Sequence, residues 1–485
     1  MQCLFCFPVR RARRAVAAAL LALPCSVQAQ APAARAAGDT VRLSLDQAVT
    51  LGLRQSDEIG LARAQIDVAD AQYANARASI LPQLRFNGAY THVYESARGQ
   101  AVGAVFNQPN TYTASTNLSQ TLFQGGRLVS TARAANETRQ AAREDEREER
   151  ASVTVQVQRA YLQALFTARI AELQEGNLVL ATNRMTQIEQ LQRAGQAARY
   201  DVLRARVERS NLEPLAIQAR NDRELALLDL KRLLNVPIDK PIVLTSQIDQ
   251  AATAAILATA EDTTSVADRP AIRSAELNVA ARRLGVAVAR ADYYPALSVF
   301  FQQGYQAFPP IGMGFPTTRG SLTEGACPPG TVAGRVCQNG GFFSDRQLGL
   351  NVSFPIFDGF RVKSNVDLAN AQARVAELQL QVQRETVALD VARARAELRR
   401  SRASFAARQQ NSGEAREAFQ LASLRFSRGL STQLEVSDAQ LALLTAESTE
   451  ARATYDLFLA SADLARALGR PILLPSATTT SPTPR

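Results

Sequence analysis

The sequence predicts a mainly helical protein with a small β part, built as two copies of one structure. A long stretch of the chain returns 234 residues later, so that Gly125 corresponds to Gly359 and Gly195 to Gly429. Arg127 in the first copy and Arg361 in the second are each followed by 67 residues without proline up to the second glycine, as a long helix requires. Four segments of about ten residues alternate apolar and polar side chains, which indicates β-strands. A duplication of this length therefore predicts long, coiled-coil-like helices with four strands.

The repeat divides the chain into segments of similar internal order. Each copy should contain a helix, a β-hairpin opened by Pro82 or Pro295, a long helix, a turn and a shorter helix. The first helix is predicted as one element from Ser44 to Ser79. The predicted boundaries are a signal peptide over 1–29, a first repeat over 30–235 with its hairpin at 83–124, an equatorial connector over 236–267, a second repeat over 268–468 with its hairpin at 296–357, and a C-terminal tail over 469–485.

The N-terminus resembles a secretory signal. Four arginines between Arg10 and Arg14 precede the apolar run Ala15–Leu23, and Val27–Ala29 offers small residues for cleavage. Cys25 leaves a lipid-anchored N-terminus as the alternative. In the mature chain only Cys327 and Cys337 remain, in a compartment where disulfides persist, so we expect a bridge between them.

Charge and composition argue against nucleic-acid binding and catalysis. The 55 basic residues of the chain are interleaved with 45 acidic ones along the predicted helices, which is typical of solvated or paired faces. The mixed run Arg143–Arg150 fits a solvated face or pairing between helices better than a binding site. His92 is the single histidine and lies on a predicted strand, so histidine-based metal sites and triads are not expected. We predict no cofactor.

The four strands predict a shared membrane barrel. Each is about ten residues long, which suits a tilted membrane-spanning strand, and no other window of 18 or more apolar residues follows the leader. Four strands cannot close a barrel, and an open edge in lipid would leave backbone groups unpaired at several kcal/mol each. Three copies would supply twelve strands with a passable interior, so a homotrimer is favoured over a dimer.

The helix lengths match one another in a way that predicts a tunnel. Each long helix should extend about 100 Å, and the two shorter helices of a copy, end to end, should match it. The first long helix carries two heptad stripes, one through Val157 and Tyr161 and one through Leu162 and Phe166. In the second copy a 3-4 spacing runs through Val375, Leu378, Val382, Leu389, Ala392 and Ala396. A helix with two stripes packs on both sides, as in a wall.

In order and spacing, the motifs resemble the TolC-like outer membrane efflux family over nearly the whole mature chain. They are Leu43–Ala48, Ala76–Ala78 with Pro82, Ala160–Leu162, Gly195 with Asp201–Leu203, Leu233–Pro237, Ala267–Pro270 with Ala275 and Glu276, and Gly429 with Glu435 and Val436. The resemblance implies a trimeric duct in the outer-membrane lipid, with a twelve-stranded barrel and a periplasmic helical tunnel. It also implies docking to a periplasmic adaptor protein and an inner-membrane transporter.

The same resemblance places site residues at the periplasmic tip. It implies that Gly195 and Gly429 form the tip turns that contact the adaptor. It also implies an acidic ring at the aperture, formed by Glu435 and Asp438, with Asp201 as the acid of the first repeat. The sequence departs from the family pattern at Ser431, where a basic partner for Asp201 is expected. Thr432–Glu435 also fits a capping box, which is the structural alternative for Glu435.

The favoured function is a passive exit duct for small molecules in a tripartite efflux pump. A second use of such a duct is one-step protein secretion, and the sequence does not separate the two. A secreted structural coiled-coil protein is the alternative from another class, since the helices alone would fit it.

Overall fold

The computed structural model describes residues 41–95, 97–102, 110–246, 253–254, 269–309, 315–320, 322–324, 336–338 and 341–469. Helices dominate this part of the chain. They are α1 (Leu45–Gln55), α2 (Asp57–Ala78), α3 (Ala97–Val102), α4 (Arg127–Arg193), α5 (Arg199–Leu233), α6 (Pro270–Arg290), α7 (Arg361–Ser427) and α8 (Gln433–Ala467). The strands are β1 (Val41–Leu43), β2 (Gln83–His92), β3 (Asn110–Gln124), β4 (Ile242–Leu244), β5 (Ala296–Ala307), β6 (Leu322–Glu324), β7 (Val336–Gln338) and β8 (Phe342–Ser353).

The four long strands form a single antiparallel sheet in the order β2-β3-β5-β8. Tyr90 pairs with Tyr112 across β2 and β3, and Val299 pairs with Leu350 across β5 and β8. The central pair β3–β5 joins the two hairpins, with one irregularity in β3 between Thr121 and Phe123. Strands β2 and β8 therefore each have a neighbour in this sheet on one side only.

The prediction of one helix from Ser44 to Ser79 is wrong, because the chain breaks at Ser56. Ser56 is extended, with ψ of 133°, and its N–H donates to the carbonyl of Gly52 over 2.9 Å to end α1. Its hydroxyl donates a hydrogen bond to the Glu58 carboxylate. A serine that competes for local hydrogen bonds, followed by acids that suit a helix start, favours ending one helix and beginning another.

The long helices α4 and α7 contain 67 residues each, and α5 and α8 contain 35 each. The bounds expected from the sequence for α4 (Arg127–Ala194), α5 (Tyr200–Leu234) and α7 (Arg361–Arg428) lie within one residue of those observed. At ~1.5 Å per residue, α4 and α7 extend about 100 Å. Among the described helices, none combines the length and the apolar character that a transmembrane helix needs.

The two heptad stripes of α4 pack into two different cores, as predicted. On one side Val157 and Tyr161 lie among residues of α1 and α5, and the Tyr161 hydroxyl donates to the carbonyl of Leu43 over 2.9 Å. On the other side Leu162 packs with Phe405 of α7 and Phe458 of α8. Helix α4 thus has neighbours on both of its flanks.

The stripe predicted through Val375, Leu378, Val382 and Leu389 is not a seam within the chain. All four side chains are exposed, whereas Val387, Val391 and Leu398 of α7 are buried. The reason is that α7 packs against α6 and α8 through its other face, which leaves this apolar stripe on the surface.

Candidate functional site

Each of the two long helices ends at a glycine in the left-handed conformation. Gly195 has a φ of 74° and Gly429 a φ of 70°. In both turns the amide after the glycine donates to the carbonyl four residues before the glycine, over 2.8 Å, which satisfies a terminal helix carbonyl. An added Cβ would meet nothing within 4 Å at either position, so the backbone conformation alone requires glycine there.

The helices that leave the two turns are capped in complementary ways. At the first turn, the Asp201 carboxylate accepts a 3.2 Å hydrogen bond from the N–H of Ala198. At the second, the Thr432 hydroxyl accepts a 3.4 Å bond from the N–H of Glu435. The capping box predicted from Thr432 and Glu435 is therefore only half formed: the Thr432 side chain caps the amide of Glu435, and the Glu435 side chain is exposed.

The structure places the three predicted acids in different surroundings near the tips. Asp438 is exposed and lines a cavity of about 350 Å³ together with Arg204 and Glu208. Neither Glu435 nor Asp201 lines that cavity. Within the described part of one chain, Asp438 therefore has different surroundings from Glu435 and Asp201.

A polar network that the sequence reasoning missed joins α4, α5 and α8 near the two turns. The guanidinium of Arg184 on α4 donates to the Ser437 hydroxyl on α8 over 3.1 Å. That hydroxyl donates in turn to the Glu208 carboxylate on α5 over 3.3 Å, and Arg184 and Glu208 approach to 3.9 Å. Burial lowers the pKa of Arg184 from its ordinary value, and the charge of Glu208 opposes this shift.

A second buried contact lies further along the same helices. The side-chain amide of Gln440 donates to the Asn177 side chain, and both residues are buried. A signal for both contacts is present in the sequence, because Asn177 and Arg184 follow Ile170 at intervals of seven residues. A heptad stripe that turns polar near a helix end predicts buried polar contacts at that level.

The mixed-charge run Arg143–Arg150 of α4 pairs with neighbouring helices. This is one of the two alternatives that the sequence left open for it. Arg143 lies 3.6 Å from Asp70 of α2, and Glu148 lies 3.1 Å from Arg269 at the start of α6. Arg269 is also 3.4 Å from Asp390 of α7 and is almost fully buried. These pairs join the middle of α4 to α2 and to the start of α6.

The remaining predicted residues are His92 and the two cysteines. His92 lies at the end of β2, with its Nδ1 2.7 Å from the Asn110 side chain. Among the described residues no group of three or more His, Cys, Asp or Glu could hold a metal ion. Cys337 belongs to β7, whereas Cys327 lies outside the described residues, so the predicted bridge stays a prediction.

The fold is similar to solved outer-membrane channels. It matches the Campylobacter jejuni CmeC outer membrane channel with a TM-score of 0.72 at 17% identity, over 88% of this chain and 85% of that chain. Helices of 67 residues joined to a four-stranded sheet, with both turns between helices at one end, define the class of fold that this chain shares with that channel.

The sequence narrows this class to one family. Residues 48–236 and 264–470 match the profile of the family described as outer membrane efflux protein, and the chain belongs to that family. It is 24% identical to the outer membrane efflux protein BepC of Brucella suis, over 88% of this chain and 85% of the relative. It is 26% identical to the pyoverdine export outer membrane protein OpmQ of Pseudomonas putida, over the same shares. The resemblance seen in the sequence is confirmed.

Proposed function

We propose that three copies of this chain form the exit duct of a tripartite efflux pump in the outer membrane. The open edges of the four-stranded sheet carry this proposal. Strands β2 and β8 each lack a second neighbour in the sheet, and each unpaired backbone group in lipid would cost several kcal/mol. Pairing β8 of one copy with β2 of the next satisfies both edges, and three copies of four strands give a closed barrel of twelve.

The side chains on the edge strands support a lipid contact. Leu84 and Phe86 of β2, and Leu348, Leu350 and Val352 of β8, are large apolar residues that are exposed in the single chain. Exposed apolar residues in such number on two strands are typical of a surface that another phase or another chain covers. The outward face of a membrane barrel is such a surface.

The helices support a wall made of several chains. The exposed stripe through Val375, Leu378, Val382 and Leu389 on α7 needs an apolar partner, and a neighbouring copy supplies one. Within each chain we propose two structural repeats, 30–235 and 268–468, linked by a connector over 236–267, with a leader over 1–29 and a tail over 469–485. The double match to the family profile and the equal helix lengths support the repeats.

The tips are the proposed periplasmic end of the duct. The turns at Gly195 and Gly429 would contact a periplasmic adaptor, which connects the duct to an inner-membrane transporter. Asp201, Glu435 and Asp438 would surround the aperture, where three chains bring their copies around one axis. On the opposite side of the membrane, a bridge between Cys327 and Cys337 would brace the long loop of the second hairpin against unfolding by roughly 2 to 3 kcal/mol.

The proposed cargo is small molecules. One relative is described as exporting pyoverdine and another as an efflux protein, and both cover most of this chain. The proposed role toward these molecules is that of a passive conduit. Protein secretion through the same duct remains the outcome that the experiment below distinguishes.

A test expresses the full chain in a Gram-negative strain that lacks its own outer-membrane efflux channels but retains adaptors and transporters. We expect the chain in the outer-membrane fraction, as a trimer whose gel mobility changes on heating, and a lower cellular level of a fluorescent dye. A variant with Pro at Asn351, inside β8, is the matched control, since proline removes a strand hydrogen bond. A soluble filament in the culture medium, or secretion of a protein substrate without any change in dye level, would contradict the proposal.

A further inference from the structure

The turns at the two tips carry an unbalanced group of arginines. Within four residues on either side of Gly195 stand Arg193 and Arg199, and within four residues of Gly429 stand Arg425 and Arg428. Neither window contains an Asp or a Glu. The nearest acids further along the chain, Asp201 and Glu435, lie six residues past each glycine. We call Arg193, Arg199, Arg425 and Arg428 the arginine tip.

This group differs from the other arginines of the long helices, many of which pair with acids. Arg169 lies 2.7 Å from Glu172, and Arg206 lies 2.8 Å from Glu189 only a short distance from the first turn. In the described structure, by contrast, no carboxylate lies within salt-bridge distance of any of the four. Their only hydrogen bond through a guanidinium runs from Arg425 to the Leu430 carbonyl, over 3.4 Å. All four side chains are exposed.

The two turns lie at the same end of the molecule. Arg184 and Ser437 are hydrogen-bonded, and they are about 14 Å and 6 Å of helix away from the end of α4 and the start of α8 at ~1.5 Å per residue. The four guanidinium groups therefore belong to one surface. Exposed apolar side chains stand beside them, including Tyr200 and Leu430.

Helix electrostatics explains only part of this arrangement. Arg193 and Arg425 lie in the last turns of α4 and α7, where a positive charge is favourable toward the helix dipole. Arg199, however, is the first residue of α5, where a positive charge opposes the dipole. Its position therefore does not serve the stability of its own helix, and an external negative partner would compensate it.

We propose that the arginine tip docks onto an acidic protein surface, so that the partner at this end of the duct presents carboxylates to it. The inference rests on the proposed function and adds the charge of the partner. A protein is favoured over an anionic lipid surface because Tyr200 and Leu430 add apolar contact beside the charges. In addition, Asp201 and Glu435 confine the positive patch to the turns, as suits a partner of limited area.

The test compares two variants of the full chain with equal net charge. One neutralises the tip, with Arg193→Gln, Arg199→Gln, Arg425→Gln and Arg428→Gln. The control neutralises four exposed arginines far from the tip, with Arg147→Gln, Arg283→Gln, Arg374→Gln and Arg384→Gln. Association with immobilised poly-L-glutamate and with phosphatidylglycerol vesicles is measured at low and high salt. We expect the tip variant to associate with polyglutamate about tenfold more slowly at low salt, with the difference shrinking at high salt, and the control to stay within about twofold of wild type.

A second measurement uses the tips in the cell and does not depend on the folding of the quadruple variants. A photo-crosslinking residue replaces Gln196 or Ser431, and the crosslinked peptide of the partner is sequenced. We expect a peptide with more Asp and Glu than Lys and Arg. Equal association of the tip and control variants, preference for vesicles over polyglutamate, or a crosslinked peptide without acidic excess would each overturn the proposal. If the polyglutamate and crosslinking results are as expected but the wild-type chain does not export dye, the proposed duct function is contradicted and the acidic partner is not.

Discussion

The guanidinium of Arg184 donates a 3.1 Å hydrogen bond to the hydroxyl of Ser437, and so joins the long helix α4 to the shorter helix α8. Ser437 passes the contact on to Glu208, which lies across the first hairpin of helices from Arg184. The three side chains therefore tie α4, α5 and α8 together within about three turns of helix from the tip. Glu435 and Asp438 lie close to Ser437 on the same helix, so this network also holds the two proposed aperture acids in position.

Replacing Arg184 with Met should loosen this end of the molecule. The arginine side chain is only 13% exposed, and its loss would leave the Glu208 carboxylate without its charged partner. Removing a hydrogen bond to a charged, partly buried group costs about 1 to 3 kcal/mol. We expect a lower melting temperature and faster amide exchange over residues 433–440, measured by hydrogen–deuterium exchange.

The control for this variant is Arg169→Met, which removes an exposed pair within one turn of α4. Such pairs contribute less than about 1 kcal/mol, so exchange near Ser437 should not change. Equal exchange in the Arg184 and Arg169 variants would show that the network does not hold α8 in place.

Alanine at Gly429 should destabilise the second turn through backbone strain alone. The φ of 70° penalises any side chain by roughly 1 to 2 kcal/mol, although the site has space for a Cβ. The matched change is Gly413→Ala in the interior of α7, where the space is equally open and the conformation is helical. That variant should be more stable by about 0.5 to 1 kcal/mol. Thermal unfolding followed by circular dichroism measures both, and the same sign for the two variants would refute the strain argument.

The carboxyl of Asp463 should make stability depend on pH. Burial raises the pKa of this group, and the charges of Arg159 and Arg466 oppose the shift. A pKa that is higher in the folded state means that the folded chain binds the proton more tightly. The contribution of Asp463 is therefore fully present below about pH 4, near the unfolded pKa, and is lost as pH rises through the folded pKa.

Asp463→Asn removes this dependence. Relative to wild type, the free energy of unfolding of the variant should rise as the pH is raised from 4 and should level off above the folded pKa. Asp67→Asn, which removes an exposed acid, controls for the change in net charge. Unfolding at a series of pH values in detergent gives the comparison, and parallel curves for wild type and Asp463→Asn would contradict the prediction.

The sequence predicts those parts of the fold that local residues determine. Left-handed glycines at 195 and 429 and the proline-free runs before them locate the long helices to within one residue. The break at Ser56 was missed because the apolar spacing continues through it, and only a competing side-chain bond interrupts the helix. The stripe through Val375 lies on the surface of the chain, because periodicity identifies an apolar face without telling which neighbour covers it.

The candidate site, too, could be predicted only where residues close in sequence determine it. The turns and their caps depend on residues within six positions, so their places could be read from the chain. The network of Arg184, Glu208 and Ser437 brings together residues up to 253 positions apart, which no local pattern specifies. The unequal surroundings of Asp438 and Glu435 likewise depend on how α8 packs against α4 and α5.

The aperture acids give the last prediction. In a trimer, Glu435 and Asp438 would place up to six carboxylates around one axis, where mutual repulsion favours bound cations. Asp438 lines a cavity with Arg204 and Glu208, whereas Glu435 is an exposed residue whose amide Thr432 caps. We therefore expect Asp438→Asn to weaken cation selectivity and block by divalent cations in planar-bilayer recordings, and Glu435→Gln to have the smaller effect. Because the Thr432 bond uses the backbone amide of Glu435, that substitution leaves the cap intact. If the double variant conducts with unchanged selectivity and unchanged divalent block, the two acids do not line the aperture, and Asp438 is a surface residue of α8.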